Sequence, residues 1–92
     1  MLLEMRAIIH GRVQGIGFRA RTKAIADRLN LLGFVRNLSD GSVEICAQGD
    51  RATLDELVAV LKRDFGFGLI ETVDVSFTDA NVSFSDFKIL KI

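Results

Sequence analysis

The chain has 92 residues, of which 49% are hydrophobic and 26% are charged, and its twelve basic side chains balance twelve acidic ones. This length fits one globular domain that can hold a core without disulfides, and the single Cys46 excludes an internal disulfide and a cysteine-built metal site. The zero net charge excludes the basic surface of a non-specific nucleic-acid binder, so no nucleic-acid partner is expected.

The first half of the chain predicts a strand, a helix and a hairpin of two further strands. Residues 3–9 alternate between apolar and polar side chains, which is typical of a strand with one buried face. After a glycine-containing loop, a stripe of side chains predicts an amphipathic helix that ends at Gly33. The stripe consists of Phe18, Thr22, Ile25, Leu29 and Leu32. Residues 34–38 and 43–48 then predict two strands, joined by an Asp40-Gly41 turn that tolerates a positive φ.

The second half predicts a helix and one or two strands. Asp50 is a suitable N-cap for the helix, and Thr53 with Glu56 offers a capping box a few residues later. The apolar stripe of this helix consists of Leu54, Leu57, Val58, Leu61 and Phe65, and "GFG" at 66–68 ends it. Val73, Val75 and Phe77 alternate with polar residues in a fourth strand. The final "FKILKI" predicts a short fifth strand, or a continuation of the fourth across a bulge.

This order of elements defines a fold class. A βαββαβ pattern with a short extra C-terminal strand is the ferredoxin-like split βαβ arrangement, an α+β fold with two helices on one face of an antiparallel sheet. The right-handed crossover rule makes the first two strands point the same way, with the third between them. The loop after the first strand and Asn37, near the end of the second, are therefore expected at the same end of the sheet, on the helix-covered face.

The segment "HGRVQGIGFR" at residues 10–19 places three glycines within seven positions, followed by Arg19. A loop that opens a helix presents unpaired N–H groups, which bind anions, and glycines let these groups converge. The planar guanidinium of Arg19 matches two oxygens of one phosphoryl group. Residues 1–46 also carry seven Lys or Arg against four Asp or Glu, whereas residues 47–92 carry five against eight. A small anion is therefore expected to bind this loop.

Two other interpretations of the loop remain open at this point. "GIGFRA" at 15–20 fits the dinucleotide-binding fingerprint if Ala20 replaces the third glycine, although the chain is short for that fold. The glycines could also serve only the packing of the helix on the sheet. A P-loop is excluded, because no Gly-Lys-Ser/Thr follows.

"IHGRVQGIGFR" at 9–19 and "GFVRNLSDGSVEICAQG" at 33–49 together resemble the acylphosphatase family, with Ile16 where valine is usual. Beyond residue 49, only the element order and the Phe-x-Ile ending agree. The resemblance implies a single domain over residues 1–92 that hydrolyses acyl phosphates to a carboxylate and inorganic phosphate. It implies no metal and no cofactor.

The resemblance also implies roles for individual residues. Arg19 and Asn37 are the expected catalytic residues: Arg19 binds the phosphoryl group and Asn37 orients water. The expected phosphate cradle consists of the 13–19 loop amides, in particular those of Gly15, Ile16, Gly17 and Phe18. The expected partners are a small acyl phosphate and, as product and inhibitor, inorganic phosphate. A non-catalytic phosphate- or anion-binding interaction module on the same fold is the alternative.

Several further expectations concern the rest of the molecule. Strand alternation places His10 on the face away from the helices, as a surface residue rather than a base. No apolar run reaches the roughly 20 residues of a membrane helix, and the first ten residues do not form a signal peptide pattern. We therefore expect a cytoplasmic protein with no membrane partner. A monomer is also expected, although the sequence itself does not determine the oligomeric state.

Overall fold

The computed structural model describes residues 2–66 and 68–91, which form a five-stranded sheet with two helices packed on one face. The elements in chain order are β1 (Leu3–Gly11), α1 (Phe18–Arg28), β2 (Leu32–Asn37), β3 (Val43–Gly49), α2 (Arg51–Asp64), β4 (Ile70–Asp79) and β5 (Phe87–Leu90). The predicted ferredoxin-like α+β fold is confirmed. Phe67 of the predicted "GFG" helix stop and Ile92 of the predicted last strand lie outside the described residues.

The strand order is β4-β1-β3-β2-β5. β1 and β2 are both antiparallel to β3, so they run in the same direction with β3 between them, as the crossover rule predicts. β4 is antiparallel to β1, but β5 pairs in parallel with β2. The sheet is therefore mixed, whereas the sequence predicted an antiparallel one. The chain crosses from one edge of the sheet to the other between β4 and β5, so β5 is a separate strand and not a continuation of β4 across a bulge.

Helix α1 ends earlier than the sequence pattern indicates. The predicted stripe extends to Leu32, but the last helical residue is Arg28 and Leu32 begins β2. Asn30 adopts a left-handed conformation with φ of 58°, and the Leu31 N–H donates to the Ala26 carbonyl. This reversal ends the helix, so the apolar side chain of Leu32 belongs to the strand.

Helix α2 begins as predicted. Asp50 is its N-cap, and the Asp50 carboxylate accepts a hydrogen bond of 2.8 Å from the Thr53 N–H. Hydrogen bonding to Thr53 lowers the pKa of Asp50 below its ordinary value. The predicted capping box of Thr53 and Glu56 is wrong, because Thr53 is already the third helical residue and its N–H is bonded to Asp50.

The core lies between the sheet and the two helices. Alternate residues of β1 and β3, together with Val35 of β2, are buried against the apolar stripes of the helices. Phe18, the first residue of α1, is fully buried, and its ring centroid lies 4.8 Å from that of Phe65. The N-terminus of α1 is thus fixed above the end of the sheet at which β1 and β2 finish. Among the described residues, no helix is long and apolar enough to cross a membrane.

The sheet face away from the helices contains a buried carboxylate. Glu44 on β3 is only 3% exposed and accepts hydrogen bonds of 2.5 Å from Arg6 on β1 and Arg36 on β2. Burial raises the pKa of Glu44, but the hydrogen bonds from Arg36 and Arg6 outweigh it, so the pKa lies below its ordinary value. These ion pairs join the three central strands on this face.

We expect Glu44→Gln to lower the free energy of unfolding at pH 7 by about 1–3 kcal/mol, the usual contribution of hydrogen bonds to a charged group. Because the folded-state pKa of Glu44 is lowered, its contribution is present above the ordinary pKa of 4.5 and is lost as the pH falls through the folded-state value. Urea unfolding at several pH values tests this, with the exposed Glu56→Gln as control. Equal stability of the Glu44 variant and the wild type at pH 7 would contradict the prediction.

Candidate active site

The loop between β1 and α1 is shaped by two left-handed glycines. Gly15 and Gly17 both have φ of 80°, and a Cβ atom at either position would meet nothing within 4 Å. Glycine is therefore required for the backbone conformation rather than for space. Turns that combine left-handed and right-handed residues can direct successive N–H groups towards one point, which is a common feature of anion-binding loops.

Gly17 is also the N-cap of α1. Because glycine has no side chain, it offers the helix no capping acceptor. The first backbone hydrogen bond of the helix joins the Arg21 N–H to the Gly17 carbonyl at 3.0 Å. The N–H groups of residues 18–20 therefore have no acceptor within the helix. The first turn contains no acidic residue. The positive end of the helix dipole is therefore not neutralised from within the helix.

A cavity of about 280 Å³ lies between this loop and the ends of β2 and β5. It is lined by Val13, Gly15, Gly17, Phe18, Arg19, Ala20, Asn37, Ile89 and Lys91. The structure thus brings together five of the six predicted site residues. The sixth, Ile16, is at the tip of the loop and its side chain is 42% exposed; the prediction concerned its backbone amide. The volume is slightly below the range typical of drug-sized ligands and suits a small molecule.

Arg19 contributes a free cation to this cavity. It is half-buried on the first turn of α1. Within residues 2–66 and 68–91 no carboxylate pairs with its guanidinium, whereas five other arginines pair with carboxylates: Arg6, Arg21, Arg36, Arg51 and Arg63. The cavity lining includes two basic side chains and no acidic one. This balance of charge favours an anionic ligand.

Asn37 contributes an unsatisfied acceptor. It is the last residue of β2, two positions after the fully buried Val35. Its side-chain oxygen Oδ1 is buried and accepts no hydrogen bond from the part of the chain that the structure describes. A buried acceptor without a partner costs about 1–3 kcal/mol, and such groups in folded proteins call for an explanation such as a ligand. The carboxamide can accept a hydrogen from a bound molecule.

Lys91 and Ile89 are lining residues that the sequence analysis missed. The parallel register pairs Val35 with Ile89 and Arg36 with Leu90, so the next position along places Lys91 beside Asn37. Ile89 and Lys91 share the helix-covered face, since alternate residues of a strand point the same way. The alternation of Phe87, Ile89 and Lys91 was visible in the sequence, but the neighbour of this strand was not.

Other polar residues near the loop are engaged elsewhere. The ring nitrogen Nε2 of His10 lies 3.1 Å from the Asp74 carboxylate on β4, and His10 does not line the cavity. The Asp40 carboxylate accepts hydrogen bonds from the hydroxyl and the N–H of Ser42, which lower the pKa of Asp40. Both observations agree with the predicted surface and turn roles of His10 and Asp40.

The described residues contain neither a cluster of metal ligands nor an activated thiol. There, no three His, Cys, Asp or Glu side chains lie close enough together to hold a metal ion. Burial raises the pKa of the Cys46 thiol to about 11, and the nearby Glu4 and Glu44 carboxylates add to the effect. Cys46 is therefore protonated at neutral pH and unreactive.

Comparison with known proteins identifies the family. The acylphosphatase family profile matches residues 5–89. The acylphosphatase of Paenarthrobacter aurescens is 46% identical over 88 residues, which cover 96% of this chain and 94% of that protein. The acylphosphatase of Treponema denticola is 42% identical, with coverage of 96% and 93%. The crystal structure of acylphosphatase from Bacillus subtilis superimposes with a TM-score of 0.90 at 35% identity, covering 97% of this chain and 99% of that one.

The chain therefore belongs to the acylphosphatase family. The relatives match over nearly their full length, so the chain is an enzyme of this kind and its activity is the hydrolysis of acyl phosphates. The resemblance inferred from two sequence segments is confirmed. The divergent second half of the chain does not place it outside the family, because the match extends to residue 89.

We expect Lys91→Met to raise the inhibition constant of inorganic phosphate about two- to fivefold, the usual effect of an exposed charge. The change should shrink at high salt, because the ammonium group is exposed and screened. Lys88→Met is the matched control, since Lys88 is an exposed lysine of β5 on the sheet face away from the cavity. Equal inhibition constants for the two variants would show that Lys91 does not contact the anion.

Proposed function

We propose that the cavity between the 13–19 loop and the end of β2 cleaves the phosphoryl–oxygen bond of a small acyl phosphate without a metal ion or cofactor. One observation supports this most directly. Within residues 2–66 and 68–91, a guanidinium with no carboxylate partner and a buried carboxamide oxygen with no donor line the same small cavity. The first suits a phosphoryl dianion, and the second suits a water molecule beside it.

The loop and Arg19 hold the phosphoryl group. The backbone N–H groups of Gly15, Ile16, Gly17 and Phe18 donate to its non-bridging oxygens, as helix N-termini do for anions. The Arg19 guanidinium donates to two oxygens at once from the side of the helix. These donors are in place before the substrate arrives, so they stabilise the charge that develops in the transition state without reorganisation.

Asn37 orients the attacking water. A carboxamide does not titrate, so it cannot be a base, but Oδ1 can accept one O–H of the water and direct its lone pair at phosphorus. The water oxygen bonds to phosphorus, and the bridging bond breaks with its electron pair leaving on the carboxylate. One water proton passes to a phosphoryl oxygen of the substrate. A carboxylate is a good leaving group, so positioning and preorganised charge suffice and no general acid is required.

The dimensions of the sheet support this arrangement. β1 and β2 are separated by β3, so their ends lie two strand spacings, about 10 Å, apart. A phosphoryl group, the Arg19 side chain and one water molecule span this distance.

A non-catalytic anion-binding module is the alternative function. It would use the same loop and Arg19, since these are enough to hold a phosphate. It gives no reason for a buried acceptor at Asn37 that has no partner among the described residues, whereas the proposed hydrolysis uses this acceptor to orient water. The family membership also favours the enzyme.

We expect the wild-type protein to hydrolyse benzoyl phosphate in the presence of EDTA. Arg19→Ala should abolish both turnover and inhibition by phosphate, and Arg19→Lys should restore little, because an ammonium group cannot donate in a planar fork. Arg28→Ala, at the exposed C-terminal end of the same helix, is the control. A wild-type rate equal to the uncatalysed one would contradict the proposed function, and activity retained in either Arg19 variant would contradict the role of its guanidinium.

Asn37→Ala should separate the orientation of water from the binding of the phosphoryl group. We expect kcat to fall about 10²-fold or more, the usual result of removing one transition-state hydrogen bond, while the inhibition constant of phosphate stays within about twofold. Steady-state kinetics with phosphate as competitor measures both quantities. The exposed Asn81→Ala is the control. If phosphate inhibition disappeared with turnover, Asn37 would be a binding residue instead.

A further inference from the structure

Gln14 joins the two segments that carry the proposed site. It lies in the loop beside Gly15, and its side-chain amide nitrogen Nε2 donates to the Leu38 carbonyl at 2.8 Å and to the Ser42 carbonyl at 2.9 Å. Leu38 directly follows Asn37. Within the described residues, these two bonds are the hydrogen bonds that connect the loop of residues 12–17 with residues 37–42.

The turn that receives these bonds is closed within itself. The Leu38 N–H donates to the Ser42 carbonyl at 2.9 Å, and the Gly41 N–H donates to the Leu38 carbonyl at 3.2 Å. Each carbonyl that Gln14 contacts therefore has a second donor. Removing the Gln14 amide leaves neither carbonyl unsatisfied, so the loss of stability should be small.

The loop is likewise held by other contacts. Val13 and Phe18 are buried in the core on either side of the glycines. The Arg12 N–H donates to the Leu69 carbonyl at 2.8 Å. What Gln14 adds is a fixed distance between the loop and the segment that carries Asn37, because β3 lies between the two strands to which they belong.

We propose that Gln14 is a positioning residue that holds the phosphate-binding loop and Asn37 at the separation required for attack by water. This inference rests on the proposed function of the site. Gln14 does not line the cavity, so it acts through the placement of Asn37 and its water. Misplacement of reacting groups by about 1 Å can cost 10²-fold in rate, and phosphate binding needs only the loop and Arg19.

Gln14→Met tests the proposal, because methionine is similar in size to glutamine and has no donor. We expect kcat for benzoyl phosphate to fall about 10- to 100-fold and the inhibition constant of phosphate to change less than about twofold. A double-mutant cycle with Asn37→Ala gives a second readout. In that background Gln14→Met should reduce kcat by less than about threefold, since a residue that acts through Asn37 has little left to position.

Gln48→Met is the matched control. Gln48 is buried at the other end of β3, and its amide donates to Glu4 and to the Val82 carbonyl at 2.9 and 2.7 Å. The same chemical change there should lower the midpoint of urea unfolding and leave kcat unchanged at a temperature where all variants are folded.

The possible outcomes distinguish the two proposals. An unchanged kcat in Gln14→Met, a rise in the phosphate inhibition constant that matches the loss of activity, an undiminished effect in the Asn37→Ala background, or an equal kcat loss in Gln48→Met would each overturn the role of Gln14 alone. Absent wild-type turnover, or full activity in Asn37→Ala, would overturn the proposed function and this inference with it.

Discussion

The site depends on the direction in which β1 and β2 run. Both are antiparallel to the intervening β3, so their C-terminal ends meet at one end of the sheet. The first of these ends leads into the glycine loop and α1, and the second ends at Asn37. A right-handed crossover through α1 is nearly obligatory for two strands in this relation, and the buried Phe18 fixes the helix above the sheet. The fold thus brings a positive helix end and a carboxamide to one cavity.

Among the described residues, the basic side chains next to the cavity pair with carboxylates elsewhere, whereas Arg19 and Lys91 in the cavity do not. Arg21, two residues from Arg19, pairs with Asp64 on α2, and Arg36, next to Asn37, pairs with Glu44 on the other face of the sheet. Residues two apart on a helix lie on nearly opposite sides of it, and adjacent residues of a strand point to opposite faces of the sheet. Arg21 and Arg36 therefore point away from the cavity. The molecule has no net charge, yet no acidic side chain among the described residues lines the site.

The sequence was sufficient to predict that the loop, Arg19 and Asn37 lie at the same end of the sheet. The patterns of helix and strand define the elements, and the right-handed crossover rule sets the directions of β1 and β2. It did not identify the neighbour of β5, since an apolar alternation over Phe87–Leu90 fits either edge of the sheet. Lys91 was missed for that reason. It also lies in the half of the chain in which acidic residues outnumber basic ones, so charge did not point to it. Gln14 was missed because its partners are backbone carbonyls, which every residue has. The end of α1 was misplaced because Leu32 fits the helical period as well as the strand.

The glycine N-cap of α1 affects how a ligand interacts with this helix. Serine, threonine, asparagine and aspartate are the preferred N-caps that offer a side-chain acceptor, and a helix with glycine in that position is less stable by only a few tenths of a kcal/mol. Gly17 supplies no such group, so for the proposed ligand the phosphoryl oxygens take the place of the missing side chain. In the proposed reaction the phosphoryl group would therefore cap this helix from the arrival of the substrate until phosphate leaves.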